Sequence, residues 1–184
     1  MKIKCNIYKI NTNKEFIEKL NSINLKTNEN DMFIINCHGD YFFHNNEKHV
    51  GFIINNPDSC KSRTDSVFNS NEIAAYVKNL SVPIFSTGCF TGDYNLAQPL
   101  LNSGCPYYIG PMSAIESNAE MCCISTFFYH YFAKKLSLDK AFSKLKQIDD
   151  QCNKYVLHGK EEKDIAFNQN NGIVEKVYER NINC

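Results

Sequence analysis

Phe33-Ile34-Ile35-Asn36-Cys37-His38-Gly39-Asp40 and Val82-Pro83-Ile84-Phe85-Ser86-Thr87-Gly88-Cys89-Phe90-Thr91-Gly92 share one plan. Each is an apolar run that ends in small residues and one reactive side chain, a histidine in the first and a cysteine in the second. Unbroken apolar runs of this length read as strands buried on both faces. A buried strand that stops at a reactive residue is how an open α/β sheet presents chemistry at its carboxyl edge.

Working outward, the pattern continues as strand–helix–strand. Residues 2–10 alternate loosely through Ile3, Cys5, Ile7 and Ile10 and predict a first strand. Thr12-Asn13-Lys14-Glu15 is a capping-box pattern, followed by Phe16, Ile17 and Leu20 on one helical side. Tyr41-Phe42-Phe43 and Val50–Ile54 flank the polar Asn45-Asn46-Glu47, which predicts a hairpin just after His38. Residues 57–69 are polar and read as a loop. Helical spacing covers 71–80 and 93–102, with a strand over 82–87 between them and another over 106–110 after them. Ser117-Asn118-Ala119-Glu120 is a second capping-box pattern opening the longest helix, and a further helix is expected over 137–149. The tail from 152 shows only a strand candidate at 173–178. Short connections and this alternation predict one α/β domain over residues 1–184, with a mostly parallel central sheet and helices on both faces.

Composition narrows the function classes. The chain has 184 residues and a formal net charge of zero, which argues against a nucleic-acid binder with a broad basic face. No apolar run reaches membrane-spanning length, and the N-terminus lacks the apolar core of a signal peptide. Nine cysteines with no Cys-x-x-Cys pair do not read as a disulfide framework or a zinc ribbon. These features predict a reducing, cytoplasmic setting with no nucleic-acid or membrane partner. Scattered asparagine and lysine read as the codon bias of an AT-rich genome.

The histidine and cysteine can form a thiolate–imidazole pair, with His38 taking the thiol proton of Cys89. Gly88 and Gly92 allow a tight turn around the cysteine. Backbone amides of Gly39 and Cys89 are candidates for an oxyanion hole. A helix beginning near Asp93 is expected to aim its positive end at Cys89. Order discriminates among architectures: His38 lies 51 positions before Cys89 (89 − 38). An α/β-hydrolase places the nucleophile first and needs a glycine two residues before it, where Thr87 stands. Papain-like enzymes place the cysteine first. A histidine about 50 residues upstream is the caspase arrangement.

Over residues 30–160 the chain resembles a caspase-fold peptidase, closest to the CHAT branch allied to separase. The matching pieces are Ile34–Gly39, Phe85–Gly92, Pro99–Pro106, Tyr108–Pro111, Phe127–Phe132 and Leu138–Phe142, in that order. The resemblance implies a three-layer caspase-like fold and an intracellular cysteine endopeptidase without a cofactor. It implies His38 as general base, Cys89 as nucleophile, and the Gly39 and Cys89 amides as oxyanion donors. Its substrate would be a protein or peptide, with a regulatory partner or a homodimer controlling it. Similar bacterial domains serve regulated proteolysis and defence. The Gln-Ala-Cys-x-Gly pentapeptide of caspases is replaced by Thr87-Gly88-Cys89-Phe90-Thr91, which removes any inference of aspartate specificity. Thr87 also stands where metacaspase- and paracaspase-type enzymes place an acid. Glu116 is the remaining candidate to line a specificity pocket and favour Lys or Arg at P1; the alternative is an exposed charge at a helix start.

Other candidates have plainer readings. Cys37 should face away from His38 into the core, Cys105 should pack at a strand start, and Cys122 and Cys123 should pack on a helix. His44 and His49 match no standard metal-ligand spacing, so no metal site is predicted. His130 reads as a core or boundary residue. Asn36 and Asp40 are candidates to orient His38, and Asp93 reads as a helix-start charge. The rival functional class is a catalytically silent caspase-like scaffold that binds a protein partner; a small-molecule hydrolase or acyltransferase lacks the nucleophile elbow.

Overall fold

The computed structural model describes residues 6–22, 31–54, 67–159, 165–167 and 174–176. The expected strand over 2–10 falls partly outside these residues, and 6–10 form no strand. Thr12 opens α1 (Asn13–Ser22) by accepting the Glu15 N–H at 3.2 Å, while the Glu15 carboxylate takes the Asn11 N–H at 2.8 Å. Phe16 and Leu20, one helical turn apart, are the residues α1 buries.

β1 (Phe33–Ile35) is shorter than its apolar run, and His38 begins β2 (His38–His44) instead of ending β1. β2 folds back on β3 (Glu47–Ile53) through Asn45 and Asn46. Both have φ in the left-handed region, 50° and 64°, which a two-residue hairpin turn requires and asparagine tolerates. β4 (Val67–Asn69) completes a three-stranded antiparallel sheet in the order β2-β3-β4. The end of the predicted 57–69 loop is therefore strand.

α2 (Ser70–Tyr76) is capped by Asn69, whose side chain takes the Asn71 and Glu72 amides while Glu72 reaches back to the Asn69 amide. β5 (Ile84–Ser86), α3 (Tyr94–Asn102) and β6 (Tyr107–Pro111) follow where the sequence placed them. α4 (Ser117–Phe128) runs into a π-helical turn over Tyr129–Ala133, and α5 (Leu138–Lys146) comes next. A 3₁₀ turn, Cys152–Lys154, leads into β7 (Tyr155–Gly159), which the sequence reading missed. β8 (Ile165–Phe167) and β9 (Val174–Lys176) end the main sheet.

That sheet has the order β1-β5-β6-β7-β8-β9. β1, β5 and β6 pair in parallel and the remaining neighbours pair antiparallel. β1, β5, β6 and β8 thus run one way and β7 and β9 the other, a mixed sheet that is mostly parallel in direction. Successive residues on a strand face opposite sides, and here they enter separate cores. Ile84 and Tyr108 pack with Leu20, Ile73, Leu96 and Leu100 of α1, α2 and α3. Phe85 and Ile109 pack with Cys123, Phe127, Phe142 and Leu145 of α4 and α5. The expectation of an α/β domain with helices on both faces holds. No helix among the described residues is long and apolar enough to cross a membrane.

Candidate active site

The two opening stretches meet. β1 and β5 pair in register from Phe33 with Ile84 to Ile35 with Ser86, so both strands end at one edge. The Thr87 N–H donates to the Ile35 carbonyl at 3.0 Å and its hydroxyl to Asn36 Oδ1 at 3.2 Å. Beyond that edge the backbones touch. A Cβ on Gly39 would lie 2.1 Å from the Cys89 carbonyl oxygen, and one on Gly88 would lie 3.0 Å from the Gly39 nitrogen and 3.1 Å from the Cys37 carbonyl. Two side-chain-free residues are what lets the histidine-bearing and cysteine-bearing segments approach this closely.

A buried polar cluster holds the turn that carries Cys89. Thr91 donates its amide at 3.2 Å and its hydroxyl at 2.6 Å to the Gly88 carbonyl. Thr91 Oγ1 also lies 2.7 Å from Ser86 Oγ, and the Tyr108 hydroxyl donates to the Thr91 carbonyl at 2.8 Å. Gly92 donates to Pro111 at 2.8 Å, and its carbonyl lies 2.8 Å from His158 Nε2. Phe90 is left with a φ of 65°, an uncommon conformation for a bulky residue. Among the described residues the Cys89 amide has no hydrogen-bond partner, as an oxyanion donor requires.

The Cys89 side chain is half-buried. Its sulfur accepts the Ile115 N–H at 3.4 Å and lies 4.0 Å from the Ile115 carbonyl oxygen. Ile115 belongs to the segment between β6 and α4, which is tied to the turn before β7. Met112 donates to the Lys154 carbonyl at 2.8 Å, Lys154 Nζ donates to the Ala114 carbonyl at 2.6 Å, and Ser113 accepts the Phe90 N–H at 3.4 Å. No sequence signal marks Ile115, because its contribution is a main-chain group.

His38 is solvent-exposed, and among the described residues no hydrogen bond joins its imidazole to Cys89 or to an orienting group. Asn36 is occupied by Thr87, and Asp40 accepts its neighbour's amide, Tyr41 N–H, at 2.8 Å. The helix expected near Asp93 begins there: Asp93 caps α3, accepting the Asn95 N–H at 3.0 Å, and its carboxylate pairs with Lys48 at 3.0 Å. Glu116 is exposed, caps α4 without a side-chain bond to the helix, and accepts from Gln151 at 3.4 Å. It follows Ile115 directly, so it borders the cysteine. The Ser117 capping box does not form.

The other described cysteines differ from Cys89. Burial pushes the Cys37 thiol up to about 12, with Glu120 raising it further and the Ile53 backbone opposing. Burial also pushes Cys105 up to about 12, with backbone hydrogen bonds at Tyr107 and Ile84 opposing; its sulfur donates to the Tyr107 carbonyl at 2.9 Å and the Val82 carbonyl at 3.3 Å. Both stay protonated thiols at neutral pH. Cys122 is exposed. Cys123 does more than pack: it forms a disulfide with Cys152, joining α4 to the turn that ties down the Ile115 segment. Their sulfurs and an Asp149 carboxylate oxygen lie within 4.8 Å of one another, but disulfide sulfurs offer a metal no thiolate. His44 and His49 sit with ring centroids 6.3 Å apart. His130 packs on Tyr129 at 5.2 Å, with a buried Nδ1 that has no hydrogen-bond partner among the described residues. The same holds for the hydroxyl of fully buried Tyr155, and burial first, then Glu120 and Cys89, push its pKa up.

No protein-family model and no curated protein matches this chain.

Proposed function

We propose that this chain is a cysteine endopeptidase of caspase-like type, closest to the CHAT branch, acting on a partner protein. The observation that carries the reading is the apposition of Gly39 and Cys89 at the shared end of β1 and β5. It brings the residue after the histidine against the nucleophile's own backbone. The β-strand directions, the helices on both faces and the His-before-Cys order all accord with it.

In this reading His38 removes the Cys89 thiol proton, and the thiolate adds to the scissile carbonyl. The developing oxyanion is held by the Cys89 amide and the neighbouring Gly39 amide. The C–N bond breaks as His38 returns the proton to the leaving amine, and water then hydrolyses the thioester. The Ile115 N–H contacts the Cys89 sulfur itself, so in this reading it serves the nucleophile and not the oxyanion. His38 must close on Cys89 in the substrate complex, as catalytic hydrogen bonds that are loose in a free enzyme commonly do. A partner or a second copy that orients His38 would supply the control expected of an intracellular protease.

The silent-scaffold reading draws on one observation, the unbonded His38 imidazole. A positional-scanning peptide library separates the two. The peptidase requires cleavage by the wild type that Cys89→Ala abolishes and His38→Ala reduces at least a hundredfold. Cleavage identical in wild type and Cys89→Ala sinks the proposal.

A further inference from the structure

Beside Cys89 stands an aromatic ridge that the bond-breaking chemistry does not use. It begins at Phe90, the residue after the nucleophile, held at a φ of 65°. Its ring meets Tyr41 edge-on at 5.0 Å, and Tyr41 meets Phe43 edge-on at 5.9 Å. Tyr41 is 37% exposed and Phe43 66%. Both lie on the side of β2 that Gly39 occupies, because alternate residues share a face, and Gly39 rests on the Cys89 carbonyl. The ridge is thus continuous from the nucleophile outward along β2. Lys48 Nζ lies 5.3 Å from the Tyr41 ring centre and 3.0 Å from the Asp93 carboxylate. That pair neutralises itself and forms a polar border.

Single exposed aromatics are ordinary. Two exposed aromatics in ring contact, one of them seated on half-buried, left-handed Phe90 next to the proposed nucleophile, are a different matter. The three-stranded sheet buries Val50, Phe52 and Phe68 in the core, with Phe90 packed at its edge and Tyr41 and Phe43 outside it. Unusual backbone conformations of this kind cluster where ligands are held.

We propose, on the peptidase reading above, that Tyr41, Phe43 and Phe90 form a subsite for an aromatic or large aliphatic substrate side chain on the leaving-group side. The side follows from chemistry. His38 returns its proton to the leaving amine, and β2 runs outward from His38, so the departing segment lies along β2. An extended peptide presents every second side chain to one surface, at roughly 6.7 Å intervals. One such side chain can lie across the Tyr41 and Phe43 rings, which touch edge to face with centres 5.9 Å apart. The polar border carries no spare charge, so the ridge selects for apolar surface.

The test uses the full chain and internally quenched peptides randomised from P1′ to P4′. The wild type should prefer Phe, Tyr or Leu over Gly or Asp about tenfold in kcat/KM at one of these positions. Phe43→Ser should abolish that preference and leave the unprimed profile in place, Phe43→Trp should keep it, and Tyr76→Ser, a remote exposed aromatic change, should alter neither. Cys89-dependent cleavage with a flat primed side, or with a preference that survives Phe43→Ser, overturns the subsite and leaves the peptidase standing. A change of oligomeric state in Phe43→Ser with an unchanged cleavage profile assigns the ridge to a second copy and also overturns it. No Cys89-dependent cleavage anywhere in the library overturns both.

Discussion

The α-carbon of Gly39 faces the carbonyl oxygen of Cys89 so closely that a methyl group there would stand 2.1 Å from it. Real atoms do not approach to that distance, and the obstacle is backbone. Gly39→Ala should therefore force the two segments apart, at about 3 kcal/mol, the upper range for overpacking. At Gly88 the nearest obstacle is the Thr91 methyl at 2.9 Å, with the Gly39 nitrogen at 3.0 Å. Gly88→Ala should cost roughly half as much by the same reasoning. Urea denaturation of both variants measures the difference, and equal losses would contradict the geometry.

Iodoacetamide provides a comparison with internal references. Cys122 is exposed, so it should alkylate at the rate of an ordinary thiol. Cys37 and Cys105, pushed up to about 12, should remain unmodified at pH 7.5 in the folded chain. Cys89 should react faster than Cys122 at this pH, and His38→Ala should slow Cys89 while leaving Cys122 unchanged. Peptide mapping by mass spectrometry reads all four. A Cys89 rate no faster than that of Cys122 would leave the thiolate–imidazole pair without support.

Alkaline stability follows from the buried thiols. Cys105 is raised from 9.0 to about 12, so above pH 9 the unfolded chain releases this proton and the folded chain keeps it. The associated stability is complete below pH 9 and is lost as pH rises toward 12, at about 1.4 kcal/mol per pH unit. Half-buried Cys37 adds to the loss in the same window. Lys146 opposes it: burial lowers its pKa from 10.5 to about 8, so stability rises with pH between those values. Two thiols against one ammonium leave a net decline above pH 9. Chemical denaturation from pH 8 to 10.5 should show that decline, and Cys105→Ala should make it shallower; an unchanged slope would refute the assignment.

The Cys123–Cys152 bond closes a span of 29 residues. By loop entropy this is worth about 3.6 kcal/mol. Dithiothreitol, or Cys123→Ser with Cys152→Ser, should lower Tm by roughly 10 °C for a chain of this size. Reduction should also slow alkylation of Cys89, because the bond secures the turn that holds the Ile115 segment, and its N–H, against the sulfur through Lys154. A reduced chain with unchanged Tm and unchanged Cys89 rate would show the bond to be incidental.

The reliable sequence signals were those written in side chains. The unbroken runs at Ile84–Ser86 and Tyr107–Pro111 and the Asn45-Asn46 turn placed two strands and a hairpin. Asp93 was read as a helix-start charge and caps α3. Signals that depend on tertiary partners misled. The run from Phe33 continues to Cys37, but Thr87 engages Ile35 and Asn36 and β1 stops early. Ser117-x-x-Glu120 has the capping-box spacing, yet the helix takes Glu116 as its cap, one residue earlier. The same kind of box at Asn69-x-x-Glu72 forms in full and went unread. The meeting of the backbone after His38 with the backbone at Cys89 was legible as order and spacing. The Ile115 contact was not, because any residue carries an amide, and Cys123 and Cys152 have no spacing that distinguishes a bonded pair from packed thiols.

The Ile115 contact also sets the order in which the site is completed during synthesis. His38 and Cys89 emerge early, but their segments meet only when β1 and β5 close a parallel pairing across about 50 intervening residues, a slow kind of contact to form. The amide that meets the sulfur arrives 26 residues after Cys89, and the Lys154 anchor of its segment follows 39 residues later (154 − 115). A nascent chain ending before α5 thus carries both side chains without the anchor that holds the Ile115 segment against the sulfur. The backbone surroundings of Cys89 are complete only once the Lys154 region has been made.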